Sequence, residues 1–174
     1  PTEAGEELLR EGARLLHEVD AVANRVRRVA TGWEPELRIA VDGVISRTTL
    51  LELVEAFYAI APPTRLKIID SILAGTLEAL TSGRADLAIG IAVDASNVSG
   101  LQQLELGDIT FRYVVAPHHR LADELQPISD DVLRQHRIIA VADSSRSGHG
   151  QTMGVLNGQD VLTVDTMQAK LQAQ

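Results

Sequence analysis

Three short apolar runs rich in β-branched residues, LRIAVD (37–42), RLKIID (65–70) and DLAIGI (86–91), alternate with amphipathic helical stretches. That alternation leaves few folds open. A strand, a helix and a second strand in succession need a crossover connection, which makes the strands parallel and covers the sheet with helices. The spacing predicts a helix from Thr49 to Ala61, with Leu50, Leu53, Val54, Phe57 and Tyr58 on one face. Thr49 and Glu52 have capping-box spacing, and Pro62-Pro63 forbids continuation. A second helix is predicted from about Ile72 to Ser82, ended by Gly83.

Beyond the loop DASNVSG (94–100) two further runs read as strands, LQQLEL (101–106) and ITFRYVVA (109–116). After PHHRLADELQP (117–127) come a short helix over Ser129–Gln135 and the strand RIIAVA (137–142), the start of a second α/β unit. VLTVDT (161–166) is again strand-like, and MQAKLQAQ opens a helix that is still running at Gln174, so a chain cut short at this end is expected.

The N-terminal segment has a different period. Leu8, Gly12, Leu15, Val19, Val22, Val26 and Val29 recur at alternating spacings of four and three, the seam of a coiled coil. Thr2 suits an N-cap and Gly32 a C-terminal stop; Glu3, Glu6 and Glu7 sit at the positive end of the helix dipole, with Arg25, Arg27 and Arg28 at the negative end. A stripe of this length faces either a partner helix or the chain's own body.

Composition excludes several functions. With no cysteine among 174 residues, disulfides, thiolate metal sites and cysteine nucleophiles are absent, and a reducing cytoplasm fits. A net charge of -8 opposes phosphate-backbone binding, and 3% aromatic residues leave little for base stacking. No apolar stretch approaches the roughly 20 residues of a membrane span. His118 and His119 are adjacent without a third ligand at a fixed spacing, so no metal is expected. Ser147 and His149 lack a nucleophile elbow and a placed carboxylate, and no glycine-rich nucleotide motif occurs, so neither catalysis nor a cofactor is expected.

Several pieces resemble the LysR-type transcriptional regulators, in order and over essentially the whole chain. PTEAGEELLREGARLL is similar to that family's linker-helix opening and LRIAVD to its first sensing strand. LLELVEAFYAIAPPTRLKIIDSILAGTLEALTSGRADLAIGI is similar to its strand-helix-strand-helix-strand unit, and YVVAPHHRLAD to its crossover into a second lobe. The resemblance implies an α/β fold: a long linker helix, then a two-lobed, periplasmic-binding-protein-like (type 2) effector domain holding a small molecule between its lobes. The expected division is 1–32 as linker and dimerisation helix, 36–93 as first lobe and 94–174 as second lobe. The family's winged helix-turn-helix and its C-terminal return segment are not in the sequence.

Ligands of open α/β sheets sit beyond the carboxyl ends of strands, at helix N-termini. After LRIAVD lie Ser46, Arg47, Thr48 and Thr49, hydroxyls and a guanidinium suited to a carboxylate or phenolate, with ordinary capping as the alternative. The resemblance places the effector-contacting loop at Ser46 and Arg47, and a cleft-facing side chain at Ser71; Asp70 beside it suits a helix cap equally. Asp143, Ser144 and Ser145 follow RIIAVA and are expected to face the first lobe across the gap, or to form a polar surface turn. Arg146 and His149 are candidates to close over a ligand. The expected effector-binding set is therefore Ser46, Arg47, Thr48, Ser71, Asp143 and Ser144, and the dimerisation set is Leu8, Leu15, Val19, Val22 and Val26. The implied partners are a small, anionic effector, further copies of the chain as a dimer or tetramer, and promoter DNA only through the winged helix-turn-helix, with no membrane. The competing classes are a solute-binding protein of the same fold and an enzyme on that fold, for which no residue predicts turnover.

Overall fold

The computed structural model describes residues 2–60, 62–91, 98–146 and 152–174. Its elements in chain order are α1 (Glu3–Thr31), β1 (Glu36–Asp42), α2 (Arg47–Ala59), β2 (Arg65–Ser71), α3 (Ala74–Thr81), β3 (Leu87–Ile89), α4 (Asp130–Arg134), β4 (Ile138–Val141), β5 (Val161–Val164) and α5 (Met167–Gln172).

The caps of α1 form as the sequence indicates. Thr2 accepts a hydrogen bond from the Gly5 N–H, and Gly32, at φ 78°, donates its N–H to the Arg28 carbonyl. Its 29 residues make a rod about 43 Å long at the α-helical rise. None of those residues is buried, so the apolar stripe does not pack on the chain's own body among the described residues. The rod approaches the body at His17, whose Nδ1 lies 3.4 Å from an Arg38 guanidinium nitrogen. A Cβ on Gly83 would overlap the His17 ring, and at φ +72° that position also suits glycine on backbone grounds.

β2, β1 and β3 form a parallel sheet in that order, with Ile39 opposite Ile68 on one side and Leu87 on the other. Because side chains alternate along a strand, β1 feeds two cores. Ile39 and Val41 pack with Leu50 of α2 on one face, and Ala40 packs with Ala79 of α3 and Ala85 on the other. The small residues on the second face let α3 lie close to the sheet. β4 and β5 form a separate parallel pair, Ile138 opposite Val161, flanked by α5.

Arg38 and Asp86 fasten β1 to the start of β3. Arg38 Nε and Nη2 donate to the two carboxylate oxygens at 3.0 and 2.7 Å, and the Arg38 backbone N–H adds a third bond at 2.9 Å. Burial pushes the Asp86 carboxyl up, but the Arg38 side-chain bond, the Arg38 N–H and the guanidinium charge together hold it below its usual 3.8. A carboxyl whose pKa is lower folded than unfolded adds stability above its unfolded pKa, and that stability is lost as the pH falls through the folded value. Asp86→Asn is therefore expected to lower the urea midpoint at pH 7 by the equivalent of about 1 kcal/mol. The variant and parent curves should converge from about pH 4 downward. A gap that persists in acid would assign the loss to packing.

Several elements differ from expectation. LQQLEL and ITFRYVVA carry no strand ladder among the described residues, and Leu104, Leu106, Ile109, Phe111 and Tyr113 are exposed. Alternating apolar residues make a segment competent for a sheet, but only a neighbouring strand completes it. α2 begins at Arg47 rather than Thr49, with Ser46 as its N-cap residue, so the Thr49–Glu52 spacing falls inside the helix. α3 begins at Ala74 rather than Ile72, because Leu73 at φ 53° lies outside the right-handed helical region and cannot be part of the helix. Ala61, expected to close α2, lies outside the described residues, as do Ser147 and His149.

Candidate functional site at the carboxyl ends of the strands

Parallel register sets Asp42, the last residue of β1, beside Ser71, the last of β2. Asp42 is 2% exposed. Its Oδ1 accepts the Val44 N–H at 3.0 Å, while Oδ2 accepts the Leu73 N–H at 2.8 Å and the Thr76 hydroxyl at 2.9 Å. This buried carboxylate thus ties the end of β1 to the first turn of α3, where unpaired N–H groups and the helix dipole favour negative charge. Leu73 is held at φ 53°, a left-handed conformation that β-carbon-bearing residues avoid.

A second carboxylate reaches the same helix end from the other sheet. Asp143, just past β4, accepts the Ala74 and Gly75 N–H groups at 3.3 and 3.0 Å. The Ser144 hydroxyl accepts the Ile72 N–H at 2.8 Å, and the Ser144 N–H donates to the Ile72 carbonyl at 3.2 Å. Asp143 and Ser144 therefore do reach the first unit, and they do so by docking directly on its backbone.

The other expected effector contacts lie elsewhere. Ser46, Arg47 and Thr48 are exposed at the start of α2, and the Ser46 side chain makes no capping bond. The Arg47 guanidinium pairs with Asp70 at 2.8 Å, both side chains largely in water. Such an exposed pair contributes at most about 1 kcal/mol. Asp70 is therefore an ion-pair partner rather than a helix cap. Ser71 is buried, and its carbonyl accepts the Gly43 N–H at 3.0 Å.

A separate open concavity of about 1210 Å³ runs along β4, bounded by Phe111, Tyr113, Ile139, Leu162 and Met167, with Asp42 and Leu73 at its first-sheet end. None of Ser46, Arg47, Thr48, Ser71, Asp143 or Ser144 lines it. Arg112 and Lys170 do line it, and neither pairs with a carboxylate among the described residues. His119 packs edge to face on His136, ring centroids 5.1 Å apart, and its Nδ1 accepts the Leu121 N–H. No group of three or more His, Cys, Asp or Glu side chains is arranged to hold a metal among the described residues. Asp42, Gly75, Arg112 and Lys170 were not singled out from the sequence. Their setting depends on contacts between distant segments, and no local spacing announces them.

Residues 30–173 match the family model of the LysR substrate binding domain, and the chain belongs to that family. The fold is accordingly the α/β, periplasmic-binding-protein-like class that the resemblance implied. Among curated relatives it is 36% identical over 173 residues to the uncharacterized HTH-type transcriptional regulator YeeY of Escherichia coli K12, covering 99% of this chain and 56% of that protein. It is 34% identical over 172 residues to the probable HTH-type transcriptional regulator YhaJ of the same strain, covering 99% and 57%. A solved structure, HinK, a LysR family transcriptional regulator from Pseudomonas aeruginosa, is similar over 84% of this chain and 49% of that one, at 20% identity and a TM-score of 0.33. The chain thus spans a little over half the length of these two curated relatives. Among the described residues, no helix is long and apolar enough to cross a membrane.

Proposed function

We propose that the chain is the effector-sensing and dimerisation portion of a LysR-type transcriptional regulator, a cytoplasmic and non-catalytic switch. The observation that carries this reading is the match of residues 30–173 to the LysR substrate binding domain, with the relatives named as HTH-type transcriptional regulators in support. In this reading 1–32 is the linker helix, and 36–93 and 94–174 are the lobes that admit a small anionic metabolite. Ser46, Arg47, Thr48, Ser71, Asp143 and Ser144 are its proposed contacts. Arg112 and Lys170, which pair with no carboxylate among the described residues, line the separate concavity and support an anion there. DNA contact falls to a winged helix-turn-helix outside these residues, in keeping with the net charge of -8. The switch requires an effector that prefers one arrangement of the protein over another.

The test is a thermal-shift screen of the full regulator against small carboxylates and aromatic acids. A ligand at about 100 times its Kd adds about 2.7 kcal/mol, a rise in Tm of about 5–10 °C for a domain of this size. The specific hit should be lost in Ser46→Ala and weakened in Arg47→Ala. Undiminished affinity in Arg47→Ala would remove the reason for expecting an anion at α2.

A further inference from the structure

The two sheet units are joined at the start of α3 by a polar seam. Both buried clusters of the first unit, Ile39–Val41–Leu50 and Ala40–Ala79–Ala85, contain residues of that unit alone. No helix or strand of one unit packs on a helix or strand of the other among the described residues. Instead the turn after β4 reaches across. Asp143 takes the Ala74 and Gly75 N–H groups, and Ser144 exchanges hydrogen bonds with the Ile72 backbone through both its hydroxyl and its N–H. The Arg146 N–H donates to Glu78 Oε2 at 2.7 Å, one turn further along α3. Met167 of α5 also approaches the first unit, its Cγ lying 2.9 Å from where a Cβ on Gly43 would stand.

Gly75 makes the seam possible. A Cβ there would overlap the Ser144 hydroxyl and come within 2.6 Å of the Ser144 carbonyl carbon and 2.7 Å of the Ser145 nitrogen. Those last two are backbone atoms, so a rotamer change cannot relieve the conflict. Gly75 itself lies within α3 and has no positive φ, so helix formation favours alanine at this position. The sequence therefore departs from the better helix former at the point where the other unit's backbone arrives.

We propose that Asp143 and Ser144, seated on the first turn of α3 over Gly75, form a latch that holds the two sheet units closed without any ligand. The latch is made of exchangeable hydrogen bonds at a partly exposed site, so water can replace it and the units can part without exposing a shared core. Asp143 supplies α3 with the negative charge its N-terminus favours, as Asp42 does from the first unit. Closure and a satisfied helix end are thus the same event. The proposal does not depend on the effector reading, but it sharpens that reading's mechanism: a ligand that prefers the open arrangement works against this latch, and one that prefers the closed arrangement works with it.

The test measures the distance between the units in the full chain with no ligand added. The sequence carries no cysteine, so Glu55→Cys on α2 and Glu124→Cys in the second unit place spin labels on exposed sites without competing thiols from these residues. With the labelled chain diluted into excess unlabelled chain, so that a dimer carries one labelled pair, the parent should give one narrow distance distribution. Gly75→Ala and Asp143→Ala should each broaden it or move it to longer distances, with an intact far-UV spectrum. Combining the two should add little, because either one opens the same contact. Asp143→Asn and Ser144→Ala serve the same purpose if a larger change impairs folding, and they should show a smaller shift in the same direction. Distributions that coincide with the parent in folded Gly75→Ala, or in both milder variants, overturn the latch.

Discussion

Asp42→Ala is expected to lower the stability of the domain by about 3–5 kcal/mol, at the high end for a single substitution. The carboxylate is 2% exposed and accepts hydrogen bonds from the Val44 N–H, the Leu73 N–H and the Thr76 hydroxyl. Hydrogen bonds to a charged group are worth about 1.5–3 kcal/mol each, and a buried donor left without an acceptor adds its own desolvation cost. Leu73 enlarges the effect, because its left-handed backbone at φ 53° is sustained by the bond its N–H makes to Asp42. The same reasoning ranks milder changes. Asp42→Asn keeps an acceptor but turns an amide N–H toward one of the donors, and should cost about half as much. Thr76→Val removes one donor at a fully buried site and should cost about 1 kcal/mol. Arg47→Ala breaks an exposed ion pair and should change stability by about 0.5 kcal/mol or less. Urea unfolding of the four variants checks the order. An Asp42→Ala midpoint close to that of Arg47→Ala would mean that water reaches the start of α3 and satisfies it.

The parts of this molecule that were legible in the sequence are those decided by neighbours along the chain. Thr2 and Gly32 bracket α1 because capping involves atoms three or four residues apart, and β1 and β2 fall within one or two residues of the apolar runs that marked them. The segment 101–116 was read as two strands from alternation alone, whereas a strand is defined by what lies beside it. The candidate site shows the same division. Arg47 was correctly placed at a helix start, but its partner Asp70 is 23 residues away and becomes its neighbour only when β2 returns beside β1. Asp42 read as the unremarked end of a strand. Its partner Thr76, like the approach of Asp143 to Gly75, exists only after β1, α3 and β4 are assembled. Ser144 was expected to face the first unit across a gap, and it does meet that unit, but at hydrogen-bond distance. Family resemblance supplied the fold class, while contact chemistry had to come from the assembled structure.

Leu15→Asp combined with Val22→Asp is expected to convert a dimer to monomers, with the dissociation constant rising at least about 10³-fold, or about 4 kcal/mol. No residue of α1 is buried, its contact with the body among the described residues is at His17 off the stripe, and Leu8, Leu15, Val19, Val22 and Val26 are between 50% and 73% exposed. An unsupported helix of this length is only marginally stable in water. Its surface ion pairs, Arg14 with Glu11 and Glu18 and Arg10 with Glu7, add a few tenths of a kcal/mol each. Burying the stripe against a second copy provides far more, about 1.5–3 kcal/mol for each large apolar side chain fully removed from water. An aspartate in the seam forfeits that gain and adds the cost of desolvating a charge, and a symmetric pair bears the penalty in both copies. Glu18→Ala, off the stripe, should leave the assembly intact. Sedimentation equilibrium and far-UV circular dichroism read the two consequences together, because dissociation should also reduce the helical signal that the partner sustains. If the double variant sediments as the parent does and keeps its helicity, association runs through another surface, and the stripe must be covered by some other part of the intact protein.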